Sequence, residues 1–139
     1  MTKVMLVEDS KFLRIGTERA LARAGYEVVS AEDGETALDL ARESRPDIIL
    51  LDMLLPKITG PDVLKALKKD PRTANIAVVA FTGLSQKNTA RLKQDGAYAF
   101  LEKTELALDK GAEAFLDAIA QIVRELNLEV PSATTPTTT

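Results

Sequence analysis

The chain has 139 residues, 45% of them apolar and 28% charged, a balance that suits one globular domain and excludes a disordered chain. With 18 Lys and Arg against 21 Asp and Glu, the net charge is -3, which argues against a surface built to coat nucleic acid. Cys and His are both absent, so any chemistry must come from carboxylates, hydroxyls and lysines.

Short apolar runs alternate with longer segments of helical period, which predicts an α/β domain on a mostly parallel sheet with five strands and five helices. The first strand, Lys3 to Val7, runs into Glu8 and Asp9. Ser10 then caps a helix over Lys11 to Ala24, which Gly25 ends in a left-handed residue. A strand over Glu27 to Ala31 leads to Asp33, the cap of a helix over Glu35 to Ser44. The third strand, Asp47 to Leu51, contains the run Ile48-Ile49-Leu50-Leu51. Such continuous apolarity suits a strand covered on both faces at the sheet centre. Asp52 follows it.

A helix over Pro61 to Lys69 precedes the fourth strand, Ala77 to Phe81, which ends in Thr82-Gly83. Ser85 stands at the cap of a helix over Gln86 to Asp95, closed by Gly96. The fifth strand, Ala99 to Leu101, runs into Glu102-Lys103, and the last helix covers Ala112 to Leu126. Each helical segment is amphipathic and is expected to pack one face on the sheet. Residues 1–127 are expected to form the domain and residues 128–139 a flexible tail. From Pro131 on, only Pro, Ser, Ala and Thr occur, so a frayed end is expected ahead of a linker to another domain. No stretch is apolar enough to cross a bilayer and no signal peptide precedes Val4, so a cytoplasmic location is expected.

In an open parallel sheet, ligands bind beyond the carboxyl ends of the strands. There this chain places Glu8 and Asp9 after the first strand, Asp52 after the third, Thr82 after the fourth and Lys103 after the fifth. Singly, each has a plain structural use: an acid beside a helix N-terminus, a turn residue, a solvated lysine. Jointly they are harder to explain away. Like charges about 4 Å apart repel by about 4 kcal/mol at an effective dielectric near 20, so three gathered carboxylates call for a cation. An oxygen-only donor set suits a hard ion such as Mg²⁺. A carboxylate beside such a metal, a hydroxyl and a lysine can attack a phosphoryl group, and Asp52 is the natural nucleophile among them.

These residues carry a family resemblance. Val7-Glu8-Asp9-Ser10, Asp33-Gly34, Asp52 with Met53-Leu54-Leu55-Pro56 and Gly60, Thr82-Gly83, and Gly96-Ala97 leading to Lys103 resemble the receiver domain of bacterial two-component response regulators. The resemblance spans roughly positions 3 to 127. It implies a doubly wound, flavodoxin-like, five-stranded parallel sheet of order 2-1-3-4-5 with five helices. Asp52 would be the phosphoacceptor. Glu8, Asp9, Asp52 and the backbone carbonyl of Leu54 would hold Mg²⁺, and Thr82 and Lys103 would bind phosphoryl oxygens. Thr82 and Phe100 would form the switch pair. The donor would be a sensor histidine kinase or a phosphotransfer protein, and output would pass to a downstream protein. Contact with nucleic acid or membrane is not expected, and the chain should be a monomer or weak dimer.

Two departures from the family pattern stand out. Thr104 replaces the usual proline after Lys103, and because a cis bond before a non-proline costs about 2.5–4 kcal/mol, a trans Lys103–Thr104 bond is expected. Glu105 to Gly111 delays the last helix and is expected to form an extra turn or loop. Two other readings compete with a phosphorylated switch. One is a receiver-like interaction domain that is never phosphorylated. The other is a flavodoxin-like mononucleotide binder, which Glu8-Asp9 would oppose by repelling phosphate from the first strand-to-helix turn.

Overall fold

The computed structural model describes residues 1–55, 57–82, 89–102 and 111–131; the side chains of residues 82, 89, 102, 111 and 112 are not among those described. Strands and helices alternate: β1 (Lys3–Val7), α1 (Lys11–Arg23), β2 (Glu27–Ala31), α2 (Gly34–Ser44), β3 (Ile48–Asp52), α3 (Gly60–Lys69), β4 (Ala77–Thr82), α4 (Thr89–Gln94), β5 (Ala99–Glu102) and α5 (Gly111–Glu125). The strands form one parallel sheet in the order β2-β1-β3-β4-β5, so the expected doubly wound, flavodoxin-like topology holds.

Side-chain alternation along the strands builds the two helix layers. Val4, Leu6, Ile48, Leu50, Val79, Phe81 and Leu101 point to one face, where Leu21 of α1 and Phe115, Ile119, Ile122 and Val123 of α5 cover them. Met5, Val7, Ile49, Leu51, Val78 and Ala80 point to the other, against Ala37 and Ala41 of α2, Val63, Leu64 and Leu67 of α3, and Leu92 of α4. Every residue of β3 is therefore buried, as its unbroken apolar run requires. The Phe81 and Phe115 rings stack at 5.8 Å between centroids, tying the sheet to α5.

The caps explain where the helices begin and end. The Ser10 side chain accepts the Leu13 amide and the Asp33 side chain accepts the Thr36 amide. Thr59 caps α3 by accepting the Asp62 amide, and Pro61 sits in its first turn. Gly25 and Gly96 adopt left-handed φ values of 97° and 112°. At both places the glycine amide and the next one return to the helix, Gly25 to Ala22 and Tyr26 to Leu21, Gly96 to Lys93 and Ala97 to Leu92.

Several element boundaries, both ends of β3 among them, differ from the expected ones by a residue. Asp47, expected inside β3, lies just before it, donating its amide to the Lys3 carbonyl at 2.9 Å and accepting the Lys3 amide on its carboxylate at 2.8 Å. At its other end β3 runs on to include Asp52. Of the expected fourth helix, residues 86–88 and the cap Ser85 lie outside the described residues. Leu128 and Val130, placed in the tail from sequence, pack against the α1–α5 side of the core, and the Thr2 hydroxyl donates to the Glu129 carbonyl. Residues 132–139 lie outside the described residues.

Candidate functional site

The parallel register brings the strand ends together. Val7 pairs with Leu51 and Asp52 with Phe81, so Glu8, one residue past β1, stands beside Asp52 at the carboxyl edge of the sheet. The Glu8 amide continues the ladder by donating to the Ala31 carbonyl at 3.0 Å. Its carboxylate Oε2 accepts the Ser10 amide at 3.1 Å, which folds the acid back over the turn. On Asp52, Oδ1 accepts the Leu54 amide at 3.0 Å, while the Met53 amide holds the Phe81 carbonyl at 2.9 Å.

Glu8, Asp9 and Asp52 each offer a carboxylate oxygen, and these oxygens all lie within 4.8 Å of one another. Glu8 and Asp52 are 1% exposed, whereas Asp9 is open to solvent. At such a separation each pair of ionised carboxylates repels by about 3–4 kcal/mol at an effective dielectric near 20. The cluster is acidic, oxygen-only and half sunk in the sheet edge, which is the donor chemistry of a hard divalent cation with water completing its shell.

Other residues singled out from sequence fall around this cluster. Thr82 ends β4 with its backbone paired to Glu102, one residue beyond the Asp52–Phe81 pair. Its side chain, Lys103, Thr104 and the bond between them, Pro56, Gly83 and the segment from 105 to 110 lie outside the described residues. Leu54, whose amide donates to Asp52 Oδ1, is 55% exposed. Phe100 of β5 is partly buried against the α2–α3–α4 side of the core, with the Lys93 ammonium 5.7 Å from its ring centroid. Asp33 is held below the usual carboxylate range, chiefly by the Thr36 amide, with the Lys57 charge adding to the effect.

Gly60, named from sequence only within the family pattern, and Arg14, which the sequence did not single out, also shape the site. Gly60, at the start of α3, presses on the backbone of Asp52 and Met53 so closely that a Cβ there would stand 2.5 Å from the Asp52 carbonyl oxygen. Its place in the family pattern marked the residue in the sequence, but not this contact. Arg14, one turn into α1, reaches back to the carbonyls of Glu8 and Asp9 at 3.0 and 3.5 Å. A basic residue four positions after a helix cap is the one signal the sequence carried for it.

The chain is similar in sequence and fold to known proteins. A family model described as the response regulator receiver domain matches residues 4–114. The polar-differentiation response regulator DivK of Brucella anthropi is 43% identical over 102 residues, covering 72% of this chain and 82% of that protein. DivK of Brucella ovis is 43% identical over 106 residues, covering 74% and 85%. Among solved structures, the chemotaxis protein CheY4 of Vibrio cholerae superposes with a TM-score of 0.78 at 29% identity, covering 88% of this chain and 98% of that one. The phosphorylated cyanobacterial phytochrome response regulator RcpA gives a TM-score of 0.78 at 29% identity, covering 94% and 99%. Matched by the family model over most of its length and by these relatives in sequence and fold, the chain belongs to the response regulator receiver domain family.

Proposed function

We propose that this chain is a phosphorylation switch of a two-component phosphorelay, with Asp52 as the phosphoacceptor. The observation that supports this most is the meeting of Glu8, Asp9 and Asp52 at one sheet edge in a chain of this family. In the proposed reaction an Asp52 carboxylate oxygen attacks the phosphorus of a phosphohistidine on a separate kinase or phosphotransfer protein. The new bond is P–O, the bond that breaks is P–N, and the departing imidazole takes up a proton. The chain has no His of its own, so the donor must be another protein or a small phosphodonor.

Glu8, Asp9, Asp52 and the Leu54 carbonyl are the proposed holders of Mg²⁺. Bound there, the ion would neutralise charge that develops on the phosphoryl oxygens. Thr82 and Lys103 would bind those oxygens, Lys103 as a point charge and Thr82 through its hydroxyl. Thr82 and Phe100 are the proposed switch pair, carrying the phosphorylated state toward a downstream protein. The protein acts as a signalling module whose only chemistry is its own phosphorylation and dephosphorylation. It works in the cytoplasm, without direct contact to nucleic acid, as a monomer or weak dimer.

The test is brief incubation with a small phosphodonor and Mg²⁺, cold quenching and intact mass. Wild type should gain the mass of one phosphoryl group, and Asp52→Asn should gain none. Absence of the adduct in wild type would favour an interaction domain that is never phosphorylated. Equal adduct in Asp52→Asn would move the acceptor elsewhere.

A further inference from the structure

We infer that Arg14 is a positioning residue for the acidic cluster, setting the path of the turn that carries Glu8 and Asp9. The inference rests on the reading of that cluster as a divalent-cation site. Two of the three clustered carboxylates sit on the β1–α1 turn, whose path decides how they face Asp52. Two amides of this turn are already engaged, Glu8 with the Ala31 carbonyl and Ser10 with the Glu8 carboxylate. The carbonyls of Glu8 and Asp9 are both taken by one group, the Arg14 guanidinium, whose Nη1 donates to them at 3.0 and 3.5 Å.

Arg14 is itself held at both ends. Its own amide bonds the Ser10 carbonyl at 2.8 Å in the first turn of α1. Its Nη2 lies 3.6 Å from the Glu32 carboxylate just past β2, and the side chain is only 16% exposed. The guanidinium presents its donors in fixed directions from separate nitrogens, Nη1 to the two carbonyls and Nη2 to the carboxylate, whereas a lysine would offer all its donors from one rotatable ammonium. The β1–α1 turn is thereby braced against the β2–α2 turn.

Charge and bracing have opposite consequences for metal binding. A cation beside three carboxylates weakens their pull on a second cation, so Arg14 acting through charge alone would lower affinity. A brace that keeps the carboxylates facing one another would raise it. Removal of groups that orient metal ligands typically weakens binding by about 10–100-fold.

The test is Mg²⁺ affinity by isothermal titration calorimetry for wild type, Arg14→Met and Arg14→Lys, with urea midpoints recorded for each. Bracing predicts binding about tenfold weaker or more in both variants, because Lys keeps the charge and loses the fork. Binding in Arg14→Met as tight as wild type or tighter would overturn the inference, and so would wild-type affinity in Arg14→Lys. Should Arg14→Met fail to fold, Arg14→Lys decides alone. A wild type that takes no Mg²⁺ would instead sink the metal-site reading, and the bracing role with it.

Discussion

Replacement of Gly60 by Ala probes the contact that seats the candidate acceptor. The added Cβ would lie 2.5 Å from the Asp52 carbonyl oxygen, 2.5 Å from the Met53 Cα and 3.0 Å from the Met53 carbonyl carbon. Carbon atoms rest about 3.5–4.0 Å apart, so α3 and the end of β3 must separate by roughly 1 Å. All three atoms are backbone, so no side-chain rotation relieves the clash. Overpacking of this kind costs about 1–3 kcal/mol. The helix propensity of Ala offsets at most about 1 kcal/mol of it, and less in the first turn. A net loss of about 1–2 kcal/mol is expected. With a urea m-value of about 1–3 kcal/mol/M, the midpoint followed by far-UV circular dichroism should fall by about 0.3–2 M. Gly34→Ala is the comparison, because its Cβ would come under 3.0 Å only to the tip of Val63, at 2.8 Å, a side-chain end that can yield, while the Ile58 Cβ at 3.1 Å and the Ile58 carbonyl oxygen at 3.4 Å are milder approaches. It should cost less. Phosphorylation of Gly60→Ala should also slow more than that of Gly34→Ala, since only the first displaces Asp52. A Gly60→Ala midpoint at or above wild type would refute the contact as the reason for glycine.

Two further outcomes concern capping and pH. Asp33→Ala removes the carboxylate that accepts the Thr36 amide at 2.8 Å, and should cost about 1 kcal/mol in urea unfolding. Because the folded-state value of Asp33 is lowered, the wild-type contribution is present above the unfolded value of 3.8 and is lost as pH falls through the folded one. The difference between the two proteins should therefore shrink in acid, and a constant difference would count against the cap. Burial raises the Tyr26 hydroxyl above its ordinary value of 10.0, against a smaller opposing effect of Arg124. A raised folded value means stability present below 10.0 and lost as pH rises through the folded value. Tyr26→Phe should flatten the alkaline fall in the urea midpoint; an unchanged slope would place the alkaline loss on another group.

Most elements, and the residue types of the candidate site, were legible in the sequence. Unbroken apolar runs such as Ile48 to Leu51 report burial on both faces, and Ser10 and Asp33 report helix starts, because burial and capping are written in adjacent residues. The motif spacing carried the family and, through it, the strand order. Less visible were departures from simple residue rules. Arg45 and Lys57 adopt left-handed φ values of 47° and 65° without being glycine, and Leu128 and Val130 join the core from a segment assigned to the tail. Proximity, by contrast, arises in the folded chain. That Val7 pairs with Leu51, so that carboxylates 43 and 44 positions apart in the chain come within 4.8 Å, depends on strand register. The approach of Gly60 to Asp52 and the reach of Arg14 across the β1–α1 turn depend on how helices settle on the sheet. Periodicity describes which face of an element is apolar; it holds no record of which residues on different elements will touch, because that is set by packing the whole core at once.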